Sequence, residues 1–318
     1  MTTLVTGGAG FIGAHLVREL LRRGEEVVVF DLVTARSTIN DIRNRMELVT
    51  GDLARWPDVL RVVGENRVKR IFHLGGVVTT PAEANPQMAY MVNADGTFHV
   101  LEAARMFGVE QVVFSSTIGT FSRDLRGAID DDSLQHPVTM YGTSKAIGEL
   151  LGRYYRLRFG LDFRAVRFPV IVGPGVRTPG AALCYACIIE DPAHGRRAVT
   201  RAAEQSKVPV LYFKDAVRSL LMLGDADSRA IKSVVYTLDG MRPLLSAAEW
   251  AALAMKHIPG AEIVFSPDPV IVEFLRFYDC PIDDSSARRE WGWSPAFDTE
   301  VLVTDFLEEL HLRREMYE

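Results

Sequence analysis

Apolar runs and apolar stripes alternate along this chain from its first residues. Thr3-Leu4-Val5-Thr6 reads as a short buried strand that runs into glycines at positions 7, 10 and 13. Leu16, Val17, Leu20 and Leu21 then recur at helical spacing and stop at Gly24, a C-terminal cap. Glu26 to Asp31 is a second strand, and Met46 to Thr50 a third beyond a polar loop reaching Arg45. A helix near Pro57 to Val63 leads to a fourth strand, Arg70 to Leu74, released into Gly75-Gly76. A long helix covers about Pro86 to Phe107, ending at Gly108, and Gln111 to Ser115 is a fifth strand. A second long helix runs from about Val138 to Phe159, and Asp162 to Phe168 is a sixth strand that meets Pro169.

Beyond Pro169 the alternation loosens. The pattern predicts a loop through Gly173 to Gly180, a helix from Ala181 to Glu190, and a polar, mobile stretch from Arg196 to Lys207. Strands are expected at Val208 to Phe213, Ser233 to Leu238 and Ala261 to Phe265. Helices are expected at Lys214 to Leu223, from a Ser246 cap to His257, and near Thr299 to His311. The expected class is therefore α/β: a Rossmann-like, doubly wound parallel sheet with a smaller mixed α/β C-terminal part. The boundaries expected are a dinucleotide-binding domain at 1–172, which also receives 208–240, and a substrate-binding cap from 173–207 and 241–318.

The glycine turn gives that sheet its first chemistry. Glycine takes backbone angles closed to side chains and lets the chain approach a ligand closely. The following helix N-terminus offers unpaired N–H groups and a positive dipole to an anion, typically a pyrophosphate. Asp31 ends the second strand 18 residues beyond Gly13, near the spacing at which an acid grips a ribose 2′-hydroxyl. Asp52 either accepts a hydrogen bond from an adenine amino group or caps the next helix. His73 reads as a core histidine rather than a catalyst.

Composition narrows the field. With 318 residues, 48% hydrophobic and 24% charged, the chain is ordinary globular protein. A net charge of −5 without a basic block argues against nucleic acid. Three cysteines form no disulfide framework, which points to the cytoplasm. The first strand begins at Thr2 or Thr3, so no signal peptide is expected, and no apolar run approaches the ~20 residues that span a bilayer. Cys184 and Cys187 fall at helical spacing among apolar neighbours and read as packing residues, and no metal is expected.

Tyr141 and Lys145 lie one helical turn apart on one face of the second long helix. An ammonium beside a phenol favours the phenolate and lowers the phenol pKa. Ser115, Ser116 and Thr117 form a hydroxyl cluster at the carboxyl end of the neighbouring strand, where open parallel sheets bind ligands. On that long helix Ile147, Leu150, Leu151, Tyr154 and Tyr155 form an apolar stripe, with Leu157 and Phe159 beside it. Phe98, Met106 and Phe107 widen the apolar face of the earlier helix in the same way. Such breadth predicts a homodimer through the helices near 86–107 and 138–159.

Together, Thr6-Gly7-Gly8-Ala9-Gly10-Phe11-Ile12-Gly13, Asp31, Gly51-Asp52-Leu53, His73-Leu74-Gly75-Gly76, Asn93, Ser115-Ser116-Thr117 and Tyr141-x-x-x-Lys145 resemble an extended short-chain dehydrogenase/reductase. The resemblance implies NAD as cofactor, contacted by Gly7, Gly10, Phe11, Ile12, Asp31, Asp52, Leu53, Leu74, Gly75, Gly76, Asn93, Ser115, Tyr141, Lys145 and Phe168. It implies Tyr141 as acid/base, Lys145 as the residue that holds the ribose and tunes Tyr141, and Thr117 as the residue that orients the substrate oxygen. Asp31 implies NAD rather than NADP, because a carboxylate repels a 2′-phosphate.

Asn85-Pro86-Gln87-Met88-Ala89-Tyr90, Arg167-Phe168-Pro169, Lys256-His257-Ile258-Pro259 and Pro281 to Arg288, continued by Trp291-Gly292-Trp293, resemble the short-chain type L-threonine 3-dehydrogenases. That branch implies a substrate pocket at Thr79, Thr117, Tyr141, Arg177, Gly180 and Ala181. The chain departs from the pattern where Ala182 and Leu183 replace hydroxyl residues, where Asp279-Cys280 replaces Ser-Trp, and at Phe121-Ser122. Arg177 is the candidate to contact a carboxylate or phosphate instead. The expected activity is NAD-dependent oxidation of the secondary hydroxyl of L-threonine or a related β-hydroxy acid. The rivals are a nucleotide-sugar epimerase or dehydratase that retains its NAD, and a non-catalytic dinucleotide sensor.

Overall fold

The computed structural model describes residues 1–33, 37–121, 125 and 127–317. Its centre is a seven-stranded, wholly parallel sheet. The first strands and helices are β1 (Thr2–Thr6), α1 (Phe11–Arg22), β2 (Glu26–Asp31), β3 (Glu47–Thr50), α2 (Trp56–Glu65) and β4 (Arg70–His73). After them come α3 (Thr79–Ala84), α4 (Pro86–Ala89), α5 (Gly96–Phe107), β5 (Gln111–Thr117), α6 (Met140–Phe159), β6 (Asp162–Phe168) and β7 (Val170–Val172). The remainder is α7 (Ala181–Ala193), β8 (Ala198–Thr200), β9 (Val210–Tyr212), α8 (Phe213–Asp225), β10 (Val235–Thr237), α9 (Ala247–His257), β11 (Ile263–Phe265), α10 (Pro269–Arg276), α11 (Ser285–Trp291), α12 (Thr299–Leu312) and α13 (Arg314–Tyr317).

The strand order is β3-β2-β1-β4-β5-β6-β10, so the chain reverses direction between β1 and β4. In a doubly wound sheet the ligand crevice opens at that reversal, outside the carboxyl ends of the strands. The strands carry apolar side chains on both faces because both are covered. Leu4, Val28, Ile71, Val112 and Phe163 pack under α2 and α5. Val5, Val29, Phe72, Val113 and Val166 share the other core with α1 and α8. The alternation of β strands and helices was legible to within two or three residues over most of the first 168.

Three expectations fail here, for physical reasons. The loop before β3 contains a 3₁₀ segment, Ser37–Arg45, seated on Ile39 and Ile42, which are buried. The stretch Arg196 to Lys207 is built into the protein: β8 pairs in parallel with β11, and Ala198, Thr200 and Ala202 are fully buried. Its small residues alternate inward, Ala198 and Thr200 on one side of Val199, which a reading by composition mistakes for mobility. The large apolar stripe of α6 is not its core face either. The helix buries Gly142, Ser144, Lys145, Gly148, Glu149 and Gly152, while Leu150 and Tyr154 are 61% and 54% exposed. Small residues bring α6 onto the rings of Phe114 and Phe163 and carry Lys145 under the carboxyl end of β5.

The segments between 173 and 207 and after 241 form the wall facing the strand ends. β7 pairs with β9, and β10 rather than β9 joins the large sheet beside β6. Ser246 and Glu249 close a reciprocal capping box on α9, as the Ser246 cap predicted. α10 and α11 lie in a region where no periodic stripe marked them.

Candidate active site

The cleft, about 1760 Å³, runs along the carboxyl ends of β1, β2, β4, β5 and β6. This is more than the roughly 300–1,000 Å³ of a pocket for one small ligand, and matches a dinucleotide with a substrate beside it.

At one end the glycine turn is pinned by its neighbours. Gly7 takes φ +69°, and a Cβ there would lie 2.7 Å from the backbone of Gly75. A Cβ on Gly13 would lie 2.1 Å from the Gly7 carbonyl oxygen, so only glycine closes this turn. Gly10 stands at the N-cap of α1 without a capping side chain, and no acidic residue occupies the helix's first turn. The N–H groups and positive helix end are thereby left for an anion. Phe11 and Ile12 line the cleft from that first turn.

Asp31 ends β2 with its carboxylate across the turn, accepting from Ala9 N at 3.1 Å and Val33 N at 3.2 Å. Asp52 and Leu53 line the same end. Asp52 does not cap α2. Its Oδ1 accepts from Ala54 N at 2.9 Å, Arg55 holds the N-cap position, and Asp58 accepts from Asp52 N at 3.1 Å.

The turn between β4 and α3 is set by a buried relay. Gly75 N donates to Thr6 Oγ1 at 3.2 Å, and Thr6 Oγ1 pairs with His73 Nδ1 at 2.7 Å. His73 Nε2 pairs with Thr97 Oγ1 at 3.0 Å, and Thr97 donates to the Asn93 carbonyl at 2.5 Å. That order makes His73 neutral with its proton on Nε2, as assigned from its partners. Burial pushes its pKa down to about 3. His73 is thus a core histidine that latches the strand reversal.

The resemblance places Asn93 at the cofactor, and its side chain is engaged within the protein. It is 2% exposed, its Oδ1 accepts from Val77 N at 2.7 Å, and its amide donates to Val77 O and Ser144 Oγ. Asn93 therefore ties the Gly75-Gly76-Val77 turn to α6. It sits in a π-helical turn, Tyr90–Asp95, that aims the amide inward.

At the other end of the cleft the reactive side chains meet. Thr139 caps α6 by accepting from Gly142 N at 3.0 Å, and Glu83 of α3 accepts from Met140 N at 2.6 Å. These contacts hold the first turn of α6, which carries Tyr141. Thr117 ends β5, its hydroxyl accepts from Gly119 N at 3.1 Å, and it stands beside the Tyr141 phenol. Lys145 Nζ donates to the Ser115 carbonyl at 2.8 Å, over the Phe114 ring. Ser116 turns away and donates to Glu149, in a fully buried pair with Arg167.

Sequence spacing brought Tyr141, Lys145 and Thr117 together correctly, but not the sign of the shift. Burial pushes the Tyr141 phenol up to about 12, with Thr117's hydroxyl pulling the other way. The same burial pushes Lys145 down to about 8, with the Glu149 carboxylate opposing. In this cleft desolvation is the largest influence on both groups.

Phe168, Thr79, Gly180, Ala181 and Ala182 line the cleft as expected. Thr80, beside Thr79, donates to the Pro179 carbonyl at 2.6 Å, which ties α3 to the loop ahead of α7. Arg177 also lines the cleft, but its guanidinium is committed: it pairs with Glu190 at 2.6 Å and donates to the Tyr317 carbonyl at 2.8 Å. Met316 and Tyr317 line the cleft as well, from a terminal helix no sequence signal announced. Ser122 lies outside the described residues. Cys184 and Cys187 are buried and unpaired, with burial raising both thiols. Among the described residues no group of His, Cys, Asp and Glu is placed to hold a metal ion.

A Rossmann cleft with a glycine turn, an acid at the end of β2 and a Thr–Tyr–Lys set defines a nucleotide-dependent enzyme of the short-chain dehydrogenase kind. The chain belongs to the NAD dependent epimerase/dehydratase family, which matches residues 3–237, and NAD is its cofactor. It is 33% identical over 314 residues to the mitochondrial L-threonine 3-dehydrogenase of Sus scrofa, covering 96% of this chain and 81% of that one. It is 35% identical over 234 residues to D-erythronate dehydrogenase of Cupriavidus necator, covering 70% and 71%. The solved GalE-like L-threonine dehydrogenase from Cupriavidus necator, in its holo form, superposes at TM-score 0.87 with 26% identity, covering 96% and 99%.

Proposed function

We propose that this protein is an NAD-dependent dehydrogenase that oxidises the secondary hydroxyl of L-threonine or a related β-hydroxy acid. The carrying observation is the meeting of Thr117, Tyr141 and Lys145 at the strand ends, next to a turn fitted to a dinucleotide. Bound NAD supplies the hydride acceptor and, when oxidised, a positively charged ring. Thr117 holds the substrate hydroxyl, and Tyr141 Oη takes its proton as the carbon loses hydride. A phenol at about 12 is a reluctant base, so positive charge in the cleft must favour the phenolate, and Lys145 is the protein's share of it. The dinucleotide part is 1–172 with 208–240, and 173–207 with 241–318 closes the substrate side.

The test is NADH formation with L-threonine, D-erythronate and 3-hydroxybutyrate. Sustained NADH production with one of them is expected. NAD that stays bound through purification, with no net NADH from any, would instead fit an internal redox cycle of the epimerase kind.

We further propose that the protein acts as a homodimer in the cytoplasm. Phe98 and Met106 of α5 and Leu150, Tyr154 and Leu157 of α6 are all at least 44% exposed, a large apolar exposure for two neighbouring helices. Light scattering should give twice the mass of one chain, and Leu157→Glu should shift it toward the single chain. A wild-type mass of one chain would remove the dimer. Among the described residues no helix is long and apolar enough to cross a membrane.

A further inference from the structure

The first turn of α7 offers the cleft no group that could hold a charged or polar substituent. α7 opens on Ala181, Ala182 and Leu183, none with a hydroxyl, and Arg177 is already paired with Glu190. Opposite them, just past the end of α10, stands Tyr278. Its hydroxyl oxygen lies 3.3 Å from the point a Cβ would take on Gly119, and Thr117 Oγ1 lies 3.4 Å from the same point. The two hydroxyls therefore flank one residue, and a Cβ at 119 would contact both.

The Tyr278 ring is fixed. It packs edge-on to Phe274 at 5.1 Å, and its backbone N–H donates to Leu275 O at 3.1 Å. Burial, with the Tyr141 phenol nearby, pushes its own phenol up, so it stays protonated and able to donate. Among the described residues the hydroxyl has no hydrogen-bond partner. Tyr278 is part-buried and lines the cleft, so its hydroxyl is available to a group bound there.

We propose that Tyr278 is a substrate-binding residue whose hydroxyl donates to the carboxylate of a β-hydroxy acid, the group carried one carbon beyond the reacting carbon. This rests on the dehydrogenase reading above. It assigns substrate discrimination to the segment after α10 rather than to the first turn of α7. Substrates without a carboxylate at that position would forgo this hydrogen bond and be disfavoured.

The test titrates NADH-loaded wild type and Tyr278→Phe with L-threonine, D-erythronate and 3-hydroxybutyrate, alongside steady-state kinetics. The variant should bind the preferred acid about tenfold more weakly or worse, as loss of a hydrogen bond to a charged group implies. Its KM should rise to match, with kcat changed less than about threefold and NADH affinity unchanged. Acid binding within about twofold of wild type would overturn the proposal, as would wild type that binds none of the three. If wild type binds an acid through Tyr278 yet turns none over, the dehydrogenase reading falls and the binding assignment stands.

Discussion

Tyr141→Phe is expected to lower turnover about 10²-fold or more while leaving NAD affinity nearly intact. Only one oxygen is removed. The ring keeps its place in the first turn of α6, which Thr139 and Glu83 hold through backbone N–H groups, not through the phenol. What disappears is the proton acceptor. Thr117 can orient a substrate hydroxyl but is too weak a base to take its proton. Lys145 is turned to the Ser115 carbonyl and its ammonium sits 5.9 Å from the Tyr141 ring centre, so it does not step in. Initial rates of NADH formation, together with a fluorescence titration of NADH, measure both halves of the expectation. A variant that keeps more than about a tenth of wild-type turnover would show that another group is the base.

Lowering the pH from about 7 to about 5 is expected to remove about 4 kcal/mol of folding stability, through two histidines buried neutral. His73 and His15 are both depressed to about 3, chiefly by burial, and Arg18, Arg313 and Lys214 add to the effect at His15. Because each folded pKa lies below the unfolded value near 6.5, the unfolded chain takes up the proton first. The stabilisation is therefore complete above that value and lost as pH falls toward the folded pKa. Each histidine contributes about 2 kcal/mol over this interval, a large part of the 5–15 kcal/mol of a typical fold. A proton on His73 Nδ1 would also face the Thr6 hydroxyl that now donates to it, loosening the latch on Gly75. Urea unfolding across this range tests it. His73→Asn and His15→Asn should each halve the pH slope, whatever their starting stability, and a flat wild-type profile would refute the assignment.

The exposed half of α6 shows how periodicity alone misassigns a face. Leu150, Tyr154 and Leu157 form a convincing stripe, yet the sheet side of the helix is lined by glycines, Ser144, Lys145 and Glu149. Close packing against Phe114 and Phe163 selects small residues, and small residues leave no hydrophobic signal. The packing also shows what spacing does not: the Asn93 amide is spent on Val77 and Ser144 and so shapes the turn beside the cleft.

By itself the sequence determined the order of the strands through β6, the glycine turn, the Asp31 acid and the Thr117–Tyr141–Lys145 set, but not α3, which no stripe marked. Those features are local: spacing along one strand or helix decides which side chains share a face, and glycine marks where the backbone must come close. Tertiary structure alone decided the direction of the Tyr141 and Lys145 shifts, since desolvation depends on everything packed around the pair. It alone showed Arg177 captured by Glu190, and Tyr278 carried from near the end of the chain to Gly119 and Thr117. A substrate pocket is assembled from segments far apart in sequence, and no periodicity records which of them will meet.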